Sequence, residues 1–114
     1  MDPEVRALVD WFFSSLDEAA KQILIDPTKV CSITLGGTNA KRMLCLIAGG
    51  ILDSARRYLK RKYNIDAIVV YVARMEIINS LYIIVADRRM FPRVRGLMRQ
   101  IKNQLSMFSF RRAI

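Results

Sequence analysis

Residues 65–87 decide the fold; they read IDAIVVYVARMEIINSLYIIVAD. Two apolar runs, Ile65–Arg74 and Leu81–Asp87, are rich in the β-branched and aromatic residues that favour strands. The connection between them, Met75–Ser80, ends in the turn signal Asn79-Ser80 and is too short for a crossover helix. The two runs therefore predict an antiparallel hairpin. Neither run alternates cleanly between apolar and polar residues, which predicts that the sheet is covered on both faces near its centre.

The residues before the hairpin predict a further strand and a long helix. Lys29–Leu35 reads KVCSITL and is rich in β-branched residues, as strands are. A helix is then predicted from about Ala40 to Tyr63, with Thr38 or Asn39 as its N-cap and Asn64 as its left-handed exit. Its apolar stripe is formed by Met43 or Leu44, Ile47, Ile51, Ala55 and Tyr58 or Leu59.

A helix is also predicted at each end of the chain. Asp2 caps the first helix, Pro3 occupies its first position, and Asp26-Pro27 ends it, because a residue before proline is pushed out of the helical region. Pro92 opens the last helix, whose apolar residues are Val94, Leu97, Met98, Ile101, Leu105 and Phe108. The sequence thus predicts one α/β domain of the α+β type over residues 1–114. Three helices would cover a small, largely antiparallel sheet in the order α-β-α-β-β-α.

The composition excludes several classes of protein. With 53% hydrophobic residues the chain is too apolar for intrinsic disorder. No apolar run reaches the ~18–20 residues of a membrane-spanning helix, so we expect no membrane insertion. The sequence contains no histidine, which argues against a hydrolytic triad and a His-ligated zinc site. The later acidic residues are scattered without catalytic spacing: Asp53, Asp66, Glu76 and Asp87. We therefore predict no enzyme, with no catalytic residue, cofactor or metal.

The two cysteines, Cys31 and Cys45, both lie in apolar runs. Free cysteine behaves as a small buried hydrophobe, so two buried thiols are predicted, with a disulfide as the alternative. Thiols of this kind are typical of cytoplasmic proteins. Scarce amides, seven Asn plus Gln, and abundant charge favour a heat-adapted source such as a thermophilic archaeon.

The net charge of +9 is unevenly distributed along the chain. Residues 1–26 hold six acids and two bases, whereas residues 88–114 hold eight bases and no acid. A third, basic cluster closes the second predicted helix, where the helix dipole favours cations. It comprises Arg56, Arg57, Lys60, Arg61 and Lys62.

Bases at the start of the last helix need another explanation, because the dipole favours acids there. We predict a basic partner surface that would bind phosphates or an acidic partner. Its residues are Arg88, Arg89, Arg93, Arg95, Arg99 and Lys102. The alternative is that these bases pair with the acidic first helix, although exposed pairs contribute only about 0–1 kcal/mol each.

Two glycine motifs and one aromatic triplet are candidate contact sites. Gly36-Gly37-Thr38 joins a strand to a helix N-terminus, where phosphates bind, but a tight turn with a cap explains it as well. Ala48-Gly49-Gly50 would lie in mid-helix, where each glycine costs about 1 kcal/mol relative to alanine. Close approach of the sheet or of a second copy would explain that cost, and we predict a dimer interface at these three residues. A helix cannot bury all of Trp11-Phe12-Phe13 on one face, so one of them is expected to mark a contact surface.

Most of the chain resembles the roadblock family, a small relative of the profilin and longin folds. The resemblance rests on the helix Asn39–Tyr63 with its small-residue centre, the strand ending at Asp87, the bases Arg88-Arg89, and the closing helix Pro92–Phe108. In that family the central helices and a sheet edge pair two copies into a dimer, which serves as a scaffold for small GTPases, motors or cytoskeletal assemblies. The chain departs from the family in having one strand, Lys29–Leu35, where the family has a hairpin.

A second resemblance, over Lys29–Arg89, is to the Alba archaeal chromatin proteins. There too a strand leads through a glycine-containing turn to a basic helix and two strands, although an Alba chain begins with a strand. We accordingly expect a non-enzymatic, homodimeric scaffold for a cytoplasmic assembly, such as a small GTPase or an archaeal filament, with an acidic protein as partner. The alternative is a basic DNA- or RNA-binding protein of the Alba type.

Overall fold

The computed structural model describes residues 2–75 and 79–113, with side chains up to Asn103. The elements in chain order are α1 (Pro3–Ile25), β1 (Val30–Gly36), α2 (Gly37–Ala48), α3 (Ile51–Tyr63), β2 (Ala67–Arg74), β3 (Ser80–Asp87), a 3-10 turn (Arg88–Met90) and α4 (Phe91–Ala113). The predicted mixed α/β class is confirmed. No helix among the described residues is both long and apolar enough to cross a membrane.

The sheet has the order β1-β3-β2 and both pairings are antiparallel, so the predicted hairpin of β2 and β3 is confirmed. The middle residues of the predicted connection, 76–78, lie outside the described residues. β3 is the central strand, and its neighbouring residues Ile84 and Val85 are both fully buried. Because successive residues of a strand point to opposite faces, the sheet is covered on both faces at its centre, as predicted.

The helices form one layer on each face of the sheet. The larger core lies between the sheet and α1, α2 and α3, and includes Phe12, Met43 and Leu59. The smaller core lies on the opposite face, where Val94 of α4 packs with Ile84 and Ala86. On this face α4 packs against β2 and β3. Ser32 and Thr34 of β1 are exposed.

The predicted helix from Ala40 to Tyr63 is in fact two helices, which makes four α-helices in the described chain rather than three. Gly50 adopts a φ of +98°, a conformation that L side chains rarely adopt and that ends a helix. Gly49-Gly50 therefore forms a turn between α2 and α3. The apolar spacing of four residues continues across the turn, which is why periodicity alone missed the break.

Most predicted helix ends are confirmed. The Asp2 carboxylate accepts a hydrogen bond from the Glu4 N–H at 2.8 Å, and α1 ends at Ile25 with Asp26 as its cap. Asn64 leaves α3 with a φ of +54°. The predicted cap at Thr38 or Asn39 is wrong, because α2 already begins at Gly37, whose N–H donates to the Asn79 carbonyl oxygen at 2.9 Å.

The prediction of two buried thiols is wrong for Cys45. Both cysteines are free, but Cys45 is exposed and Cys31 is half-buried. The core side of α2 carries Ala40 and Met43, and Cys45 lies on the opposite side of the helix. Cys31 faces α1, where burial raises the pKa of its thiol.

Candidate interaction surfaces

The first two bases of the predicted partner surface are compensated by nearby acids. Arg88, in the 3-10 turn, has its Nε 3.7 Å from the Asp66 carboxylate. Arg89 forms a two-pronged contact with Asp87, at 3.0 Å and 3.2 Å. The hydrogen bonds from the Arg89 side chain and backbone hold the pKa of Asp87 below its usual value. These two arginines therefore contribute less net charge to the surface than the sequence indicates.

Arg93 has a local structural contact. Its guanidinium donates a hydrogen bond to the Thr28 carbonyl oxygen at 3.1 Å, which ties the start of α4 to the turn between α1 and β1. This contact gives a reason for a base in the first turn of α4. Among the described side chains, no ion pair joins a base of α4 to an acid of α1. The predicted alternative, pairing of the two helices, is therefore not found among the described side chains.

Three bases of α4 remain exposed and form a stripe together with an aromatic ring. Arg95, Arg99 and Lys102 are spaced by four and three residues, so they share one side of the helix. Phe91 lies one turn before Arg95 and is 54% exposed. A shallow depression of about 420 Å³ is lined by Phe91, Pro92, Arg95, Gly96 and Arg99. We call Phe91, Arg95, Arg99 and Lys102 the α4 patch.

The charge of the α4 patch is not balanced within the described part of the chain. None of its three bases forms an ion pair or hydrogen bond there, and the sequence has no acid after Asp87. Sequence reasoning found the three bases but missed Phe91. Its spacing of three residues from the buried Val94 would place it on the core side, and only its position at the first turn of the helix exposes it.

The basic cluster at the end of α3 is partly used inside the fold. Arg56 pairs with Asp53 and donates to the Val69 carbonyl oxygen at 2.6 Å, which fixes α3 on β2. Lys62 pairs with Asp17 of α1. Lys60 and Arg61 are exposed.

A polar cluster joins α1 to α3 around Asp17. One carboxylate oxygen, Oδ1, accepts hydrogen bonds from the hydroxyls of Tyr58 and Tyr63, both at 2.7 Å, and from the Lys62 Nζ at 3.3 Å. Partial burial alone would raise the pKa of Asp17, but the hydrogen bonds from Tyr63, Tyr58 and Lys62 outweigh it and hold that pKa below 3.8. The cluster thus stabilises the ionised carboxylate and holds the two helices together.

Replacing Asp17 with alanine is expected to destabilise the domain by about 1–3 kcal/mol at pH 7, because both tyrosine hydroxyls lose a charged acceptor. The folded-state pKa lies below the unfolded one, so this stabilisation is present above about pH 3.8 and is lost as the pH falls through the folded-state pKa. Urea unfolding at pH 7 and pH 2 measures the effect. The exposed Asp10→Ala variant is the control and should change stability little at either pH; an equal loss for both variants would contradict the role of the cluster.

The predicted dimer residues lie on the surface of the fold. Ala48 and Gly49 are exposed and Gly50 is half-exposed. They end α2 and form the turn to α3, so the two glycines are explained by that turn and not by close approach of the sheet. Whether a second copy contacts them stays a prediction.

The exposed side of α2 is continuous with the open edge of β2. Leu44 of α2 lines a depression of about 590 Å³ together with Tyr71, which is 40% exposed. Cys45 is exposed beside Leu44, and Ala48 follows one turn later on the same side of the helix. We call Leu44, Cys45, Ala48 and Tyr71 the α2 face.

The aromatic triplet is divided as the sequence predicted, with one ring left at the surface. Phe12 is fully buried, and Phe13 packs edge-on against Tyr58 with ring centroids 5.0 Å apart. Trp11 is 44% exposed. It lines two neighbouring depressions between α1 and β1, of about 500 Å³ and 300 Å³.

Comparison of the chain with family models, curated proteins and solved structures found no match. The roadblock and Alba resemblances accordingly stay hypotheses.

Proposed function

We propose that this chain is a non-enzymatic, homodimeric interaction module that acts as an accessory protein of a cytoplasmic assembly. One observation carries the proposal: Arg95, Arg99 and Lys102 lie on one side of α4, and no acid among the described residues pairs with them. Because surface pairs contribute little to stability, and these bases have no pair at all among the described residues, their placement supports a role in binding.

The α4 patch has the composition of a site for an acidic protein surface. Arginine presents a planar fork of donors that matches a carboxylate, and its charge is independent of pH in the physiological range. Phe91 supplies an apolar contact beside the charges, and aromatic residues and arginine are enriched at interfaces. The resemblance to the roadblock family would make a small GTPase or a filament the partner.

Nucleic-acid binding is the second candidate, and it is favoured by the exposed ring of Phe91 beside Arg95. Aromatic rings stack on bases while neighbouring cations contact phosphates. Titrations with polyglutamate and with duplex and single-stranded DNA, at low and high salt, distinguish acidic-protein binding from nucleic-acid binding. Tighter binding of polyglutamate supports the acidic protein. Nucleic-acid binding is supported if DNA binds more tightly and if its affinity falls by a factor of tens or more when salt is raised from 50 to 200 mM.

The α2 face is proposed as the self-contact. It joins small or apolar side chains of one helix, Leu44, Cys45 and Ala48, to Tyr71 at the edge of the sheet. Small residues allow two helices to approach closely, and half-exposed apolar residues in one patch are typical of an interface. In a two-fold contact through this face, each α2 would lie beside its copy.

Cys45 offers a direct test of the dimer, because it is exposed on the α2 face whereas Cys31 is half-buried. In a Cys31→Ser background, a short bis-maleimide should convert most of the protein into a covalent dimer under native conditions and little of it in denaturant. Gel electrophoresis and mass spectrometry measure the product.

The matched control moves the thiol to an exposed position outside the α2 face. Ser14 of α1 is exposed, so the variant Cys31→Ser/Cys45→Ser/Ser14→Cys presents one accessible thiol on another surface. It should remain monomeric in the same reaction. Equal cross-linking of both variants, or a strict monomer of the unmodified protein in light scattering at high concentration, would contradict the proposed dimer.

A further inference from the structure

The strand β1 forms an open edge of the sheet. β3 occupies one side of it, and no strand among the described residues pairs with the other side. In an antiparallel pair, alternate residues direct their N–H and C=O groups away from the partner strand. These seven residues, Val30–Gly36, therefore present a row of backbone donors and acceptors that a further strand can use.

The helix α1 runs beside this edge and adds side chains to it. Residues facing the edge recur at helical spacing and include Ala7, Leu8, Trp11, Ser15 and Glu18. The two depressions that flank Trp11 share Trp11 and Thr34, so they form one groove along the strand with the indole ring between them. We call this the Trp11 groove.

The edge of β1 lacks the features that normally prevent pairing. Its sequence, VCSITLG, contains no charged residue and no proline. The side chains of Ser32 and Thr34 are exposed, so no other element of the described chain covers them. The other edge strand, β2, ends in Arg74 and has Lys102 beside it, and basic side chains are a common protection of sheet edges. The β2 edge thus carries basic side chains that hinder strand pairing, whereas the strand β1 contains none. This difference is expected if β1 is the edge that receives another strand.

The charges at the Trp11 groove indicate which strand would fit. The residues that line it include two acids, Glu4 and Glu18 of α1, and one base, Arg42 of α2. Among the described side chains, the ion pair of Glu18 is with Lys21 of its own helix, across an exposed 3.5 Å contact. Glu4 pairs with Arg42, which lines the same depression, so Glu18 is the acid of the groove that a basic side chain of a peptide can meet.

We propose that the Trp11 groove binds an extended, basic peptide segment of a partner protein, which adds to β1 as a fourth strand. Backbone hydrogen bonds to β1 give affinity, an apolar side chain of the peptide packs against Trp11, Leu8 and Leu35, and a basic side chain meets Glu18. The proposal is independent of the proposed function, since neither the α4 patch nor the α2 face takes part.

Trp11 is also the reporter for the test, because it is the only tryptophan of the chain. The probe is a seven-residue peptide that alternates valine with threonine and carries a lysine at each end. Its binding should shift the Trp11 emission to shorter wavelength as the ring loses contact with water. The control is the same peptide with alternate amides N-methylated, which keeps every side chain but removes the backbone N–H donors along one edge of the peptide. It should bind at least about tenfold more weakly. Equal affinity of the two peptides, or no binding of either, would overturn the proposal.

A pair of charge reversals tests the contribution of α1. Glu18 lines the Trp11 groove, so the substitution Glu18→Lys should weaken binding of the lysine peptide several-fold at low salt. Asp10→Lys makes the same change of charge at an exposed position of α1 outside the groove and should leave the affinity unchanged. Equal loss in both variants would show attraction by net charge alone. A Trp11 emission that shifts with protein concentration, without peptide, would assign the edge to a second copy. An equal loss in the two charge variants, or a concentration-dependent Trp11 emission, would overturn the proposed site.

Discussion

Phe12→Ala is expected to destabilise the domain by about 3–5 kcal/mol, the usual cost of deleting a buried phenyl ring. Phe12 has no exposed surface and belongs to the core between α1 and the sheet. Domains of this size have total stabilities of about 5–15 kcal/mol, so the loss removes a large share of the total and should lower the urea midpoint markedly. Urea unfolding followed by circular dichroism measures the loss.

The neighbouring Trp11→Ala is the control for this variant. It removes a larger ring from the adjacent residue of the same helix, but one that is 44% exposed, so we expect a loss of only about 1 kcal/mol. The same variant should abolish the peptide binding proposed for the Trp11 groove, measured with a labelled peptide. Equal destabilisation by the two substitutions would contradict the orientation of α1.

The double variant Arg95→Glu/Arg99→Glu is expected to weaken binding of the acidic partner by about a hundredfold at low salt. Each reversal replaces an attraction by a repulsion, worth about 1–2 kcal/mol at a solvated surface, and about 2.8 kcal/mol in total is a hundredfold change. Titration with the tighter-binding probe, polyglutamate or DNA, measures the effect. Folding should be unchanged because both side chains are exposed.

The control carries the same change in net charge at another basic cluster. Lys60 and Arg61 are exposed near the end of α3, which packs on the opposite face of the sheet from α4. Lys60→Glu/Arg61→Glu should reduce affinity only a few-fold, through the long-range field, and less as salt is added. If both double variants lose the same affinity, the α4 patch is not the binding site.

The parts of the fold that could be predicted from the sequence are those with strong local signals. The hairpin followed from two β-rich runs with a short connection, and the ends of α1 followed from Asp2-Pro3 and Asp26-Pro27. The break between α2 and α3 was missed because the periodic apolar residues continue in phase across it. Cys45 was misplaced because an apolar run in sequence does not specify which side of a helix is buried.

The candidate sites were less predictable, because partners distant in sequence decide which charges remain available. Arg88 meets Asp66, and Arg93 meets the Thr28 carbonyl oxygen 65 residues earlier in the chain. Neither contact has a sequence signal. The bases at the start of the last helix did indicate a partner surface, because the helix dipole favours acids there. The Trp11 groove required the relative placement of α1 and β1, and only the aromatic triplet pointed towards it.

The central position of β3 has a consequence for how the molecule loses its structure. β3 pairs with both other strands and contributes Val85 to one core and Ile84 to the other. If either helix layer melted, apolar residues of β3 would be exposed to water. The remaining layer packs on the same strand, so it would lose stability as well. The two layers should therefore unfold together in one cooperative transition, without a half-folded state at equilibrium.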